Sequence, residues 1–340
     1  MKKILVTGSA GFIGGYLVQE FLDQGHTVVG IDNYSKYGKV VKSYDNHPNY
    51  EFHESDVKDT ELLKKLAKDC DYIVGLAAMI GGITYFHNYA YDLLAENERI
   101  MASTFDAALD AFKNHKLQRI IVLSSSMVFE STTTYPSLEE DVSKIPPPVS
   151  TYGFQKLACE YFCKGAWEQY QLPYTILRPF NCVGVGEKKA KTEIVVKSGD
   201  IKLAMSHVVP DLVQKVLKGQ NPLHILGEGN QIRCYTYGGD LAKGIVEDTF
   251  SPKAINEDFN LSTNEQTSVL ELAKVIWKKI NKDKPFDYVS DDAFEHDVQK
   301  RVPDTNKAKK ILGFEATTTL DQMLDEVIPW IKKQVELGGI

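Results

Sequence analysis

The stretch Lys3-Ile4-Leu5-Val6-Thr7-Gly8-Ser9-Ala10-Gly11-Phe12-Ile13-Gly14 decides the fold. Its first five residues are a short apolar run that reads as a strand. Gly8, Gly11 and Gly14 follow at once, and Ile13, Leu17 and Phe21 then recur at helical spacing, ending near Gly25. Residues 27–31 form a second β-branched run, which closes on Asp32. Strand, glycine turn, helix, strand and acid in this order make a βαβ unit.

The glycine positions have mechanical reasons. Gly8 permits a tight turn, Gly11 lets backbone N–H groups approach a pyrophosphate, and Gly14 lets the helix pack close. Phe12 and Ile13 open that helix, whose N-terminus presents partial positive charge to phosphates. Asp32 at the end of the second strand would accept bonds from both adenosine ribose hydroxyls and repel a 2′-phosphate. NAD is therefore expected over NADP.

The alternation continues. Residues 51–54 read as a strand, and Asp56-Val57 precede a helix over 60–68, with Asp56 placed to face the adenine amino group. Residues 72–76 are a fourth strand, ending in Leu76-Ala77-Ala78, where small side chains let a ligand lie near the backbone. Gly81-Gly82 make a loop beyond that strand's carboxyl end, where open α/β sheets bind ligands. A long helix is expected over 91–113, a fifth strand over 119–123 and a sixth over 174–178, closing on Pro179-Phe180-Asn181. Repeated βα units predict an α/β fold with a doubly wound parallel sheet (Rossmann).

The chemistry is expected on Thr151-Tyr152-Gly153-Phe154-Gln155-Lys156. Tyr152 and Lys156 are four apart and share a helix face. A nearby ammonium stabilises a phenolate, which makes a tyrosine suited to taking a proton from an alcohol. On spacing alone the pair reads more readily as an exposed polar helix face. Upstream, Ser124-Ser125-Ser126-Met127 follow the fifth strand, either as a turn and cap or as a hydroxyl beside the substrate oxygen. Pro146-Pro147-Pro148 mark a rigid loop before the tyrosine helix.

Past residue 181 the pattern is less regular. Residues 184–206 read as a Lys-rich insert long enough for a lid or binding segment. A helix is expected over 208–218, strands over 223–226 and 233–237, and amphipathic helices over 271–280 and 320–335. The expected division is a cofactor domain over 1–181 and a smaller mixed α/β C-terminal substrate domain over 182–340, packed directly on the first and able to return strands to it.

The chain has 340 residues, 43% hydrophobic and 25% charged, with a net charge of -7 and no long basic run, so nucleic acid and anionic membranes are poor partners. No apolar run approaches the ~20 residues of a membrane span, and the N-terminus lacks a signal pattern, so a cytoplasmic location is expected. Cys70, Cys159, Cys163, Cys182 and Cys234 read as reduced thiols, with no metal site implied.

Taken together, TGSAGFIG, the strand-end Asp32, Leu76-Ala77-Ala78, Ser125, Tyr-x-x-x-Lys, Arg-Pro-Phe-Asn and Arg-x-Tyr-x-Tyr resemble the extended short-chain dehydrogenases/reductases. More narrowly they resemble the nucleotide-sugar epimerase/dehydratase branch, over nearly the whole chain. The resemblance implies an NAD enzyme acting on a nucleotide-diphosphate sugar, with Ser125 as catalytic hydroxyl, Tyr152 as acid/base and Lys156 also on the nicotinamide ribose. It places Asn181, Arg233 and Arg301 on the diphosphate, arginine suiting that role by its paired donors. Read without it, each arginine is a surface cation. Ser126 and Met127 stand where the branch's 4,6-dehydratases carry an acidic pair, which disfavours dehydration. Gly81-Gly82-Ile83 and Ser206-His207-Val208-x-Pro210 resemble the GDP-sugar 3,5-epimerases, with Gly82, His207 and Val208 near the sugar. Those enzymes' second acid/base, a cysteine, falls on Met127, so two-base epimerisation is disfavoured. His207 also reads as a loop histidine capping the next helix. The expected activity is redox at C4, as an epimerase of a GDP-hexose or GDP-heptose, with a 4-dehydrogenase, a 3,5-epimerase/4-reductase and a non-catalytic NAD-binding regulator as alternatives. A homodimer is implied through the helices over 91–113 and 151–170.

Overall fold

The structure, a computed structural model, describes residues 1–80, 89–187, 207–292 and 298–338, and the backbone of 194–196 and 199–201. Gly81, Gly82, Ile83, Ser206 and most of the 184–206 insert lie outside the described residues.

Seven strands form one all-parallel sheet: β1 (Lys3–Thr7), β2 (Thr27–Asp32), β3 (Tyr50–Glu54), β4 (Tyr72–Gly75), β5 (Arg119–Leu123), β6 (Tyr174–Pro179) and β7 (Glu257–Leu261). Their order is β7-β6-β5-β4-β1-β2-β3. Both faces are buried, so successive residues feed opposite cores: Ile4 and Val6 pack on one side and Leu5 on the other, as do Ile121 and Leu123 against Ile120 and Val122. Helices α1 (Phe12–Asp23), α2 (Thr60–Ala67), α3 (Ala90–Asn114), α4 (Thr151–Tyr170), α5 (Val208–Leu217) and α6 (Gly238–Phe250) follow in chain order. One face of the sheet carries α2, α3 and α4; the other carries α1 and α6. This is the doubly wound sheet expected from the alternation.

A third core joins α5 to α7 (Val269–Asn281) and α9 (Leu320–Glu336) through Leu212, Val213, Leu272, Ile276, Leu324 and Val327. The short helix α8 (Asn306–Leu312) packs instead against β7 and α6 through Ala308, Ile311 and Leu312, and ends on Gly313 at φ +76°. The single strand expected over 233–237 is two pieces. Ile232–Arg233 pairs antiparallel with Thr267–Ser268, and Thr236–Tyr237 runs parallel to Cys182–Val183. The break turns Arg233 and Tyr235 toward the crevice above the sheet. No helix among the described residues is long and apolar enough to cross a membrane.

Candidate active site

Strand order reverses at β1, between β4 and β2, and the crevice opens at the carboxyl ends of these strands. The Gly8 N–H donates to Ile31 O at 2.8 Å, closing the turn. Thr7 Oγ1 accepts from the N–H groups of Leu76 and Ala77 at 3.2 and 3.1 Å, which fixes the end of β4 beside that turn. A Cβ on Gly14 would lie 2.2 Å from Gly8 O, and one on Gly8, itself at φ +70°, 2.9 Å from the Ala77 backbone. The Asp32 carboxylate accepts from Ala10 N at 3.1 Å and Tyr34 N at 2.8 Å. Burial raises its pKa, against those two N–H groups, which pull it down. Asp56 holds Lys58 N at 2.9 Å and Asn33 Nδ2 at 3.3 Å, so it also braces the loop after β2.

The reaction end is built on α4. Ser150 caps that helix by accepting from Gly153 N at 3.0 Å, and Tyr152 and Lys156, both 7% exposed, share its inner face. Lys156 Nζ donates to Leu123 O at 2.9 Å at the end of β5. Ser125 starts the 3-10 turn Ser126–Phe129 and accepts from Met127 N at 3.2 Å. Beneath it Ser124 Oγ donates to Glu160 at 2.7 Å, and Glu160 holds Arg178 through two 2.7 Å bonds. Arg178, the first residue of Arg-Pro-Phe-Asn, is therefore a buried brace at 1% exposure. Asn181 Nδ2 donates to Cys234 O at 3.2 Å and ties β6 to the segment carrying Arg233.

One cavity of about 1040 Å³ gathers these groups. It is lined by Gly8, Gly11, Phe12, Ile13, Gly14, Asp32, Asp56, Val57, Leu76, Ala77, Ala78, Ser125, Ser126, Met127, Tyr152, Lys156, Pro179, Asn181, His207, Val208, Arg233 and Arg301. Gly82, expected beside them, lies outside the described residues. Its size suits a dinucleotide and a nucleotide sugar together. The turn with no room for a Cβ, the helix N-terminus behind it and the strand-end carboxylate fit an NAD molecule along one side.

Two features differ from the sequence expectation. His207 makes no side-chain cap to α5; its ring Nδ1 bonds Glu187, which is 2% exposed. The cavity also holds a carboxylate near Met127 after all, since Glu130 lines it and accepts from Ser150 N and Oγ at 2.8 and 2.9 Å. Neither acid sits in a spacing that sequence periodicity reads. Tyr235, 3% exposed, is a further lining residue, with its hydroxyl unpartnered among the described residues.

The model of the NAD dependent epimerase/dehydratase family matches residues 4–261. The chain belongs to that family. A putative UDP-glucose 4-epimerase of Methanocaldococcus jannaschii is 29% identical, over 97% of this chain and 98% of its own. The UDP-N-acetyl-alpha-D-glucosaminuronate decarboxylase of Bacillus cytotoxicus is 27% identical, over 98% of each chain. The crystal structure of UDP-glucuronic acid 4-epimerase from Bacillus cereus, in complex with UDP-glucuronic acid and NAD, superposes with a TM-score of 0.81 at 26% identity, covering 97% of this chain and 99% of its own. The protein is thus an NAD-dependent enzyme of the nucleotide-sugar epimerase/dehydratase family.

Proposed function

We propose that this enzyme is a nucleotide-sugar 4-epimerase working through transient oxidation at C4. The observation that carries this is the convergence of Ser125, Tyr152 and Lys156 with the glycine turn and with Arg233 and Arg301 on one cavity. NAD held along the Gly8–Gly14 turn and Asp32 would supply the hydride acceptor, and then the hydride donor, for the sugar carbon. Tyr152 takes the C4 hydroxyl proton, Ser125 bonds the same oxygen, and Lys156, anchored on Leu123 O, stabilises the phenolate. Arg233, Arg301 and Asn181 hold the diphosphate, so the sugar turns about a fixed anchor and presents its other face. The division of labour follows: residues 1–181 hold the cofactor and 182–340 mainly the nucleotide sugar.

The resemblance of Ser206-His207-Val208-Val209-Pro210 to the GDP-sugar 3,5-epimerases, with His207 and Val208 lining the cavity, speaks for a GDP-sugar. The named relatives favour a UDP-sugar. Incubating the protein and its co-purified cofactor with UDP-, GDP- and dTDP-sugars, while following NADH absorbance and product NMR, tests both points. A C4 epimer without lasting NADH is expected. Stoichiometric NADH with a released 4-keto sugar would replace the epimerase by a dehydrogenase. Equal turnover with all three nucleotides would remove the preference for GDP.

We propose also a homodimer through α3 and α4. Tyr91 on α3 and Phe154 and Tyr161 on α4 are exposed at 71%, 47% and 65%. Sedimentation of the wild type as a monomer would refute it.

A further inference from the structure

Resting on the nucleotide-sugar reading above, we infer that Asp211 and Lys215 on α5 read the edge of the substrate's nucleobase and select guanine. Val208, Asp211, Leu212 and Lys215 all line the cavity. Their offsets of three, four and seven residues put them on one face of α5, so the carboxylate and the ammonium stand on the helix face turned to the cavity. Lys215 Nζ donates to Asp211 Oδ2 at 2.8 Å and to His224 O at 3.1 Å, on the strand Leu223–Leu226. The second bond pins the pair between α5 and that strand, where the two side chains are only 27% and 28% exposed.

The place suits a nucleobase. Arg233 and Arg301, which hold the diphosphate in that reading, both stand close enough to Tyr235 for their charges to act on its hydroxyl. Tyr235 belongs to the third core with Leu212, Ile225 and Val269, and all four line the cavity. One end of the diphosphate leads to the sugar carbon at Tyr152. The other leads to this apolar lining, which takes the flat face of a base, with Asp211 and Lys215 left to meet its edge.

The order of the polar groups matches guanine. Along its edge guanine presents the O6 acceptor, then the N1–H donor, then the N2 amino donor. Lys215 beside Asp211 presents a donor and then two acceptors, Oδ2 and Oδ1. The two Lys215 bonds use two of its three donors, and a carboxylate oxygen accepts more than one bond. Uracil and thymine present acceptor, donor, acceptor, so one carboxylate oxygen would face a carbonyl oxygen with no proton between them. An Asp–Lys pair four residues apart also steadies a helix, but that role is indifferent to the base and gives no selectivity.

The test measures the binding of GDP, IDP and UDP by calorimetry, using the protein with its co-purified NAD. IDP differs from GDP only in lacking the N2 amino group. GDP is expected to bind on the order of 10-fold more tightly than IDP, and at least ~10-fold more tightly than UDP. Asp211→Asn, which puts an amino group where an oxygen stood, is expected to bring the GDP-to-IDP ratio within ~3-fold of unity, and Asp211→Ser serves where the asparagine variant does not fold. Lys215→Met is expected to weaken GDP and IDP alike, because both keep O6. UDP bound as tightly as GDP, GDP bound no more tightly than IDP, a ratio unmoved by the Asp211 variants, or GDP binding unchanged in Lys215→Met overturns the inference and leaves the C4 reading standing. Binding of none of the three overturns both.

Discussion

Glu187 holds His207 by two groups at once, the ring Nδ1 and the backbone N–H at the start of α5. The carboxylate is 2% exposed, whereas half of the His207 side chain faces open space in the cavity. A carboxylate only accepts, so the proton sits on Nδ1 and Nε2 is left for the cavity. Burial opposes charge on Glu187, but the His207 ring and the Lys36 ammonium outweigh it and hold the carboxyl below its usual range.

A pH prediction follows from that direction. A depressed folded-state pKa gives stability that is present above the ordinary carboxyl value of 4.5 and lost as pH falls through the lower folded value. Glu187→Gln is expected to cost ~1–3 kcal/mol at neutral pH. The gap to wild type should narrow once urea unfolding is repeated near pH ~4. A gap that widens on acidification would contradict the charge assignment.

Tyr152→Phe removes the phenolic group from the wall while leaving Lys156 on Leu123 O. Turnover is expected to fall ~10²- to 10⁴-fold, the range for losing a general acid/base. Bound NAD, measured after denaturing the protein, should stay at the wild-type level. Loss of both together would mean that Tyr152 acts through the fold.

Gly14→Ala tests the cradle. Its Cβ would meet Gly8 O at 2.2 Å, a backbone atom that cannot swing aside, so α1 must back away from the turn. A cost of ~1–3 kcal/mol from overpacking and loss of retained NAD are expected. Gly165→Ala on α4 is the control for NAD retention, since a Cβ there meets nothing of its own chain within 4 Å and lies away from the glycine turn; retained NAD should stay at the wild-type level.

What could be read in the sequence divides along physical lines. Strand, glycine and helix spacings are local, so β1 to α1 and the Tyr152–Lys156 face were legible without tertiary information. Strand β7 was not, because Glu257-Asp258-Phe259-Asn260-Leu261 opens with two acids, and Lys307 and Arg178 make that tolerable from elsewhere in the chain. Helix α6 opens on Gly238-Gly239, poor helix formers, and only its buried face of Leu241, Ile245 and Val246 explains it. Glu130 and Glu187 each find their partner twenty residues away, beyond any periodic pattern.

The Arg178 network should show strong coupling. Its guanidinium bonds Glu160 twice and Asp258 once, all at 2.7 Å. Arg178→Ala leaves Glu160, wholly buried, without its counter-charge, at an expected cost of ~3–5 kcal/mol. Glu160 also takes the Ser124 hydroxyl next to Ser125, so turnover should fall in any variant that still folds. Unchanged stability in urea unfolding would show that water reaches this site.

Asp248, near the end of α6, gives a pH dependence of opposite sign. It is fully buried, and neither carboxyl oxygen has a hydrogen-bond partner among the described residues. The nearby Arg119 guanidinium is spent on main-chain carbonyls instead, at Asp248 (2.8 Å), Thr249 (2.5 Å) and Ser251 (3.1 Å), where it closes the helix end. Burial pushes the Asp248 carboxyl up to about 8, with Arg119 pulling the other way. A raised folded-state pKa gives stability that is complete below the ordinary value of 3.8 and lost as pH rises through about 8. Asp248→Asn cannot ionise and escapes that loss. Its melting temperature relative to wild type should therefore climb between about pH 6 and pH 9. A difference that stays flat over that interval would mean that the Asp248 carboxyl is already charged when buried, with Arg119 serving as its counter-ion as well as the cap of α6.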